Sequence, residues 1–248
     1  MRFAVVGDFG TATASENDVA AAVRAREPEL DALVTTGDNI YPGGEPARFE
    51  AAWHRPYGWV AQSRLPVVAS IGNHDVRTSG GAPVMRLLGM PGPFYERTID
   101  PVRFIVLDSN RPSDPEQDRF LTTTLARPDP GWTVVVFHRP AFTCGIYGEG
   151  AESVRRWHPA LVAAGVDLVL SGHDHNYQRF HEVDGVTYVV TGGGGAKPYP
   201  MRRCLAGNPP PAASAVVHHF TEVTATRQEL SIRAVDVRGA HLDEVVLQ

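Results

Sequence analysis

The chain has 248 residues, 43% of them hydrophobic and 21% charged, with 23 basic against 28 acidic side chains and a formal net charge of −5. That is ordinary globular composition with enough length for a sizeable core, and the acidic balance excludes holding nucleic acid or an anionic membrane by bulk charge. No apolar run approaches the roughly 20 residues that span a bilayer. Cys144 and Cys204, the only two cysteines, exclude a disulfide scaffold and a cysteine-based zinc module, and leave one bridge between them open.

In chain order, residues 3–7 read as a strand. No basic segment with a long apolar run precedes it, so the expected location is the cytoplasm, with secretion the alternative if a leader has been removed. Residues 15–27 follow as a helical stretch with Ser15 as its expected N-cap. Strands are predicted at 32–36, 67–71, 104–107, 133–137, 168–171 and 186–191, several of them continuously apolar, as in strands covered on both faces. Helices are predicted over 114–126 and 152–164. Past residue 170 no helical pattern remains, and Asp184-Gly185 and Arg238-Gly239 mark turns of a more antiparallel region. Loops 42–60, 76–100 and 139–150 carry no readable motif. The expectation is an α/β fold with α+β character, a two-sheet β-sandwich core flanked by helices in four layers, as a single domain over 1–248.

Polar residues follow the strand ends. The run Val5-Val6-Gly7 leads into Asp8, Thr36-Gly37 into Asp38 and Tyr41, and Ile71-Gly72 into Asn73-His74-Asp75. Farther on, Val136-Phe137 leads into His138 and Ser171-Gly172 into His173-Asp174-His175. Ligands of open α/β sheets lie at the carboxyl ends of strands, so five strands deliver these groups to one edge. Carboxylate and imidazole suit zinc, iron and manganese. A Tyr41 phenolate requires a strong Lewis acid, because free tyrosine titrates near ~10. One ion cannot easily use seven such ligands, Asp8, Asp38, Tyr41, Asn73, His138, His173 and His175. Two ions about 3.5 Å apart and bridged by a carboxylate would use them all.

The chain resembles a purple acid phosphatase, a branch of the calcineurin-like metallophosphoesterases, in its short single-domain form. The family's blocks Asp-x-Gly, Gly-Asp-x-x-Tyr, Gly-Asn-His-Asp/Glu, Val-x-x-His and Gly-His-x-His stand here in order as residues 8–10, 37–41, 72–75, 135–138 and 172–175. The resemblance implies a metallophosphoesterase fold. It also implies Fe(III) on Asp8, Tyr41 and His175, and Zn(II), Fe(II) or Mn(II) on Asn73, His138 and His173, with Asp38 as the bridge. The implied reaction is hydrolysis of a small phosphate monoester by in-line attack of a hydroxide that the metal pair holds. His74 would face the substrate, and Asp75, counted with it among the catalytic residues, would orient His74 or a nearby backbone group. Where the family carries a further substrate-facing histidine this chain has Tyr147. Tyrosine cannot carry the positive charge, so an optimum nearer neutral pH is expected.

Two other readings stand beside this one. A phosphodiesterase acting on cyclic nucleotides or phospholipid head groups would use the same metal site. A metal-loaded binding or redox protein would have lost hydrolysis. Gly192–Gly195 lacks the Ser or Thr that a phosphate loop needs after Lys197, where Pro198 stands, and is expected to be a flexible segment beside the metal edge. Asn176, Tyr177 and Arg179 are expected to steady the segment carrying His173 and His175.

Overall fold

The computed structural model describes residues 1–128, 131–146, 151–204 and 207–248. The chain alternates strands and helices through β1 (Arg2–Val6), α1 (Ala14–Arg24), β2 (Ala32–Thr35), α2 (Arg55–Gln62), β3 (Val67–Ala69) and α3 (Ala82–Leu87). It continues through β4 (Tyr95–Ile99), β5 (Val102–Val106), α4 (Pro115–Leu125), β6 (Trp132–Val136), α5 (Ala151–Arg155), α6 (His158–Ala163) and β7 (Leu168–Ser171). The strands β8 (Tyr177–Phe180), β9 (Thr187–Thr191), β10 (Pro211–Ala215), β11 (His219–Ala225), β12 (Leu230–Asp236) and β13 (His241–Leu247) complete it.

Two mixed sheets result, six strands in the order β13-β12-β11-β1-β2-β3 and seven in the order β10-β8-β9-β7-β6-β5-β4. Alternation along β1 builds the layers: Phe3 and Val5 point between the sheets, toward Val34, Phe104, Val136 and Leu170, while Ala4 and Val6 point outward. The outward face packs on α1 through Val19 and Val23 and on α2 through Tyr57 and Val60. On the other side, Ile105, Val135 and Val169 meet Leu121 of α4 and Leu161 of α6. Strands covered on both faces are therefore mostly apolar, with Arg103 of β5 and Thr133 of β6 among the exceptions, and the four-layer sandwich is the architecture expected.

Several local features differ from the sequence reading. The N-cap of α1 is Thr13, whose hydroxyl accepts from the Glu16 N–H, and Ser15 lies inside the helix. The single helix expected over 152–164 is two, α5 and α6, because Pro159 in the first turn of α6 has no N–H to give back to the preceding turn. The supposed loop 42–60 holds a π-helical turn, Glu50–His54, that runs into α2. Likewise, α3 and β4 occupy 76–100. The turn at Asp184-Gly185 has positive φ at both residues, 53° and 86°, the signature of a two-residue hairpin.

Candidate metal centre

Within each sheet the strands that end at this edge are parallel, β1 with β2 and β2 with β3, and β6 with β7. Their carboxyl ends therefore open on one side, and the segments after them carry the polar groups. Asp8, Asp38 and His173 occupy the left-handed region, with φ of 58°, 50° and 70°. Such a backbone costs a non-glycine residue about 1–3 kcal/mol and persists where surrounding bonds hold it. Here the Asp8 carboxylate accepts the His173 N–H at 2.8 Å, and Asp38 accepts the His74 N–H at 2.8 Å. Gly72 and Gly172 are required by close approach, since a Cβ would stand 2.1 Å from Asp38 Oδ1 at the first and 2.4 Å from Asp8 Oδ2 at the second.

Hydrogen bonds set the imidazoles. The Nδ1 atoms of His138 and His175 lie 2.9 Å from the Thr36 and Lys197 carbonyls, so each donates there and turns an Nε2 lone pair to the centre. The His138 lone pair is 3.1 Å from Asn73 Oδ1, 3.1 Å from His173 Nδ1 and 3.5 Å from Asp38 Oδ2. Donor atoms of Asp38, His138 and His173 all lie within 4.8 Å of one another. Beside them, the Tyr41 hydroxyl is 3.0 Å from Asp38 Oδ2, 3.3 Å from Asp8 Oδ1 and 3.2 Å from His175 Nε2. Asp38 Oδ2 thus belongs to both groups. Carboxylate, amide-oxygen, imidazole and phenol groups converge there at hydrogen-bond distance, and these N/O donors suit iron, zinc or manganese.

The electrostatics agree. Burial, and then the His138 and Arg139 charges, hold the His173 pKa far below its ordinary value and keep a lone pair available. Burial alone would depress His175, but the Asp8 carboxylate and the Lys197 carbonyl outweigh it and raise the pKa. Tyr41 is pushed upward by burial and by the Asp8 and Asp38 charges, so a phenolate here requires a strongly Lewis-acidic ion.

Residues 1–177 match the calcineurin-like phosphoesterase family. The chain belongs to that family. It is similar to mouse (Mus musculus) tartrate-resistant acid phosphatase type 5, 26% identical over 236 residues, spanning 78% of this chain and 72% of the relative. It is also similar to Arabidopsis thaliana purple acid phosphatase 4, 27% identical over 285 residues, spanning 97% and 81%. Two solved structures share the fold at 19% identity. The purple acid phosphatase PPD1 of yellow lupin (Lupinus luteus) seeds has a TM-score of 0.84 over 99% of this chain and 53% of the lupin one. GAP50, the anchor in the inner membrane complex of Plasmodium, has a TM-score of 0.80 over 100% and 88%. This calcineurin-like phosphoesterase is a hydrolase of phosphate ester bonds with a dinuclear metal centre, as the resemblance to purple acid phosphatases implied. Among the described residues no helix is long and apolar enough to cross a membrane.

All seven expected ligands and His74 meet at this edge. His74 Nε2 lies 3.9 Å from Asp38 Oδ2, and its Nδ1 is 2.7 Å from the Pro42 carbonyl. Of the two roles expected for Asp75, the bonds follow the second, to nearby backbone groups, and Asp75 is not among the residues that line the cavity. Wholly buried, it accepts N–H groups of Gly72, Asn39 and Ile40 and the Asn39 amide, and so ties the Asp38 and Asn73 segments together. Burial and then the Asp38 charge raise its pKa, against the pull of those N–H donors. Tyr147 lies outside the described residues.

The segment Gly192–Gly195 is packed rather than loose, with Gly194 N–H on the Gly7 carbonyl at 2.9 Å and Ala196 N–H on the Asp8 carbonyl at 2.8 Å. Tyr177 and Arg179 bind Asp243 of β13 instead of the ligand segment, whereas Asn176 reaches the Tyr199 carbonyl. Cys144 and Cys204 are bridged. The sequence reading passed over Arg77, Arg139 and Tyr199, which line a cavity of about 250 Å³ with Asn73, His74 and His173. For Arg139 the signal was its place directly after His138, an expected ligand. Arg77 stands three residues beyond His74.

Proposed function

We propose that the chain is a phosphomonoesterase of the purple acid phosphatase kind, acting as one catalytic unit over 1–248. Asp8, Tyr41 and His175 would hold Fe(III), and Asn73, His138 and His173 would hold Zn(II), Fe(II) or Mn(II), with Asp38 shared. The observation that carries this reading is Asp38 Oδ2, 3.0 Å from the Tyr41 hydroxyl on one side and 3.5 Å from His138 Nε2 on the other. Bound there, the two ions would supply charge for the phosphoryl oxygens and a nucleophile drawn from water. The Pro42 carbonyl fixes the His74 ring so that Nε2 faces the cavity, where it can hold or give a proton at an ester oxygen. The Tyr199 ring stacks on His175, centroids 4.2 Å apart, and keeps that imidazole in place.

The deciding experiment is the visible spectrum of aerobically purified protein with its metal content. A broad mid-visible band that shifts in Tyr41→Phe is the expected result and would report a tyrosinate–Fe(III) bond. A colourless protein carrying two equivalents of zinc or manganese would overturn the iron assignment at Tyr41. Relative kcat/KM on p-nitrophenyl phosphate and bis-p-nitrophenyl phosphate separates monoesterase from diesterase. No turnover by the fully metallated protein would favour a binding role. The Cys144–Cys204 bridge supports an oxidising compartment over the cytoplasm.

A further inference from the structure

We propose that Arg77 and Arg139 grip a second phosphoryl group on the leaving side of the substrate. The proposal rests on the phosphoesterase reading above and deepens it by naming a substrate class. The preferred substrates would be those whose leaving group itself carries a phosphoryl group close to the scissile bond.

The two guanidinium groups come from different sheets and face one cavity. Arg77 lies beyond β3, with Nη1 donating to the Pro42 carbonyl at 3.1 Å and Nη2 3.5 Å from His74 Nε2. Arg139 follows β6, with its backbone N–H on Ser109 Oγ at 2.9 Å and its Nη1 3.3 Å from His173 Nε2. Neither meets a carboxylate among the described residues, although Asp38 lines the same cavity. A guanidinium has five N–H donors, so most of the donors of both groups remain for a ligand.

Position separates these charges from the groups that would hold the scissile phosphate. His173 turns Nδ1 toward His138 and its opposite nitrogen toward Arg139, so that guanidinium lies one imidazole farther out than the donor atoms. Arg77 lies alongside His74, held with it on the Pro42 carbonyl, and its Nη2 meets the same Nε2 that stands 3.9 Å from Asp38 Oδ2, so this guanidinium reaches the cavity next to the donor atoms without being bound to Asp38. Beside a centre that is already cationic, two more positive charges repel unless an anion joins them. A second phosphoryl group supplies up to two negative charges and oxygens that match the planar guanidinium fork. A carboxylate brings one charge and satisfies one arginine. The reaction remains hydrolysis: water adds its oxygen to the scissile phosphorus, the bond to the leaving oxygen breaks, and that oxygen departs with the group that bears the second phosphoryl and takes up the proton that the water gives up.

The test compares the metallated wild type with Arg77→Gln/Arg139→Gln on inorganic pyrophosphate, glycerol 2-phosphate and 2-phosphoglycolate. The expected result is that the double variant loses at least about tenfold more kcat/KM on pyrophosphate than on glycerol 2-phosphate, mainly through KM, as befits charge-assisted bonds to a bound group. The inhibition constant of imidodiphosphate should rise by a similar factor relative to that of orthophosphate. The single Lys variants, which keep the charge and lose the fork, should fall between. Equal losses on pyrophosphate and glycerol 2-phosphate, or no loss on either, would overturn the proposal. So would a loss on 2-phosphoglycolate as large as that on pyrophosphate, since the site would then read any anion. If the metallated wild type hydrolyses none of the three and neither p-nitrophenyl phosphate nor its bis ester, the phosphoesterase reading is what fails, and calorimetric binding of imidodiphosphate to both proteins still decides the role of the arginines.

Discussion

Two polar cavities of nearly equal size can be set side by side. One, of about 260 Å³, lies over the first sheet among Arg2, Arg26, Glu222 and Arg233, and the other, of about 250 Å³, is at the metal edge. In the first, Arg2 pairs with Glu29, Arg26 with Glu222 at 2.7 Å and Arg233 with Glu244 at 2.7 Å. At the metal edge, the Arg77 and Arg139 guanidinium groups turn to the Pro42 carbonyl and to His173 Nε2, and among the described residues neither pairs with a carboxylate. The lesson concerns charge closure. A cavity rich in ionisable groups is ordinary surface when they neutralise one another, and a reactive site when backbone bonds prevent them from doing so.

The largest effect should come from the atom that both ligand groups share. Asp38→Asn is expected to lower kcat/KM on p-nitrophenyl phosphate by about a thousandfold or more, equal to about 4 kcal/mol of barrier. Metal analysis should find fewer than two ions per chain, and retention of both ions with near-normal turnover would break the comparison. Next comes the buried carboxylate under the site. Asp75→Ala strands the N–H groups of Gly72, Asn39 and Ile40 and should cost about 3 kcal/mol of stability, roughly 6–12 °C in Tm. A thermal melt followed by circular dichroism checks it. The smallest effect belongs to the neutralised cavity. Arg233→Gln, at an exposed ion pair, should change stability by about 1 kcal/mol or less and leave kcat/KM within about twofold. A large loss of turnover there would mean that charge closure does not mark silent surface.

The gathering of the seven expected ligands on one edge was legible because each follows an apolar strand end and a glycine or short turn, and parallel strands must open on one edge. The layers were legible because strands covered on both faces lose polar alternation. Elsewhere the signals are weaker or wholly three-dimensional. Thr13 and Ser15 are equally good cap residues on paper, and only the reach of the Thr13 hydroxyl to the Glu16 N–H separates them. Trp53 and Tyr57 stack at 5.3 Å in the turn that feeds α2, a contact that loop-like composition conceals. For Asp75 the sequence leaves His74 and a nearby backbone group equally open as partners, and only the fold shows its bonds running back to the Asn39 segment. Arg77 and Arg139 sit in unpatterned loops 62 positions apart, and nothing short of the folded edge puts them on one cavity.

The centre draws Asp8, Asp38, Tyr41 and Asn73 from beyond β1, β2 and β3 in one sheet, and His138, His173 and His175 from beyond β6 and β7 in the other. Ions bound there would act as rivets through the seam between the layers, fastening the first third of the chain to a segment that ends at residue 175. A ribosome must therefore deliver most of the polypeptide before either ion can be fully gripped. Once both are gripped, their escape and the parting of the two sheets become a single event, so that the same atoms that prepare the substrate also slow the opening of the fold.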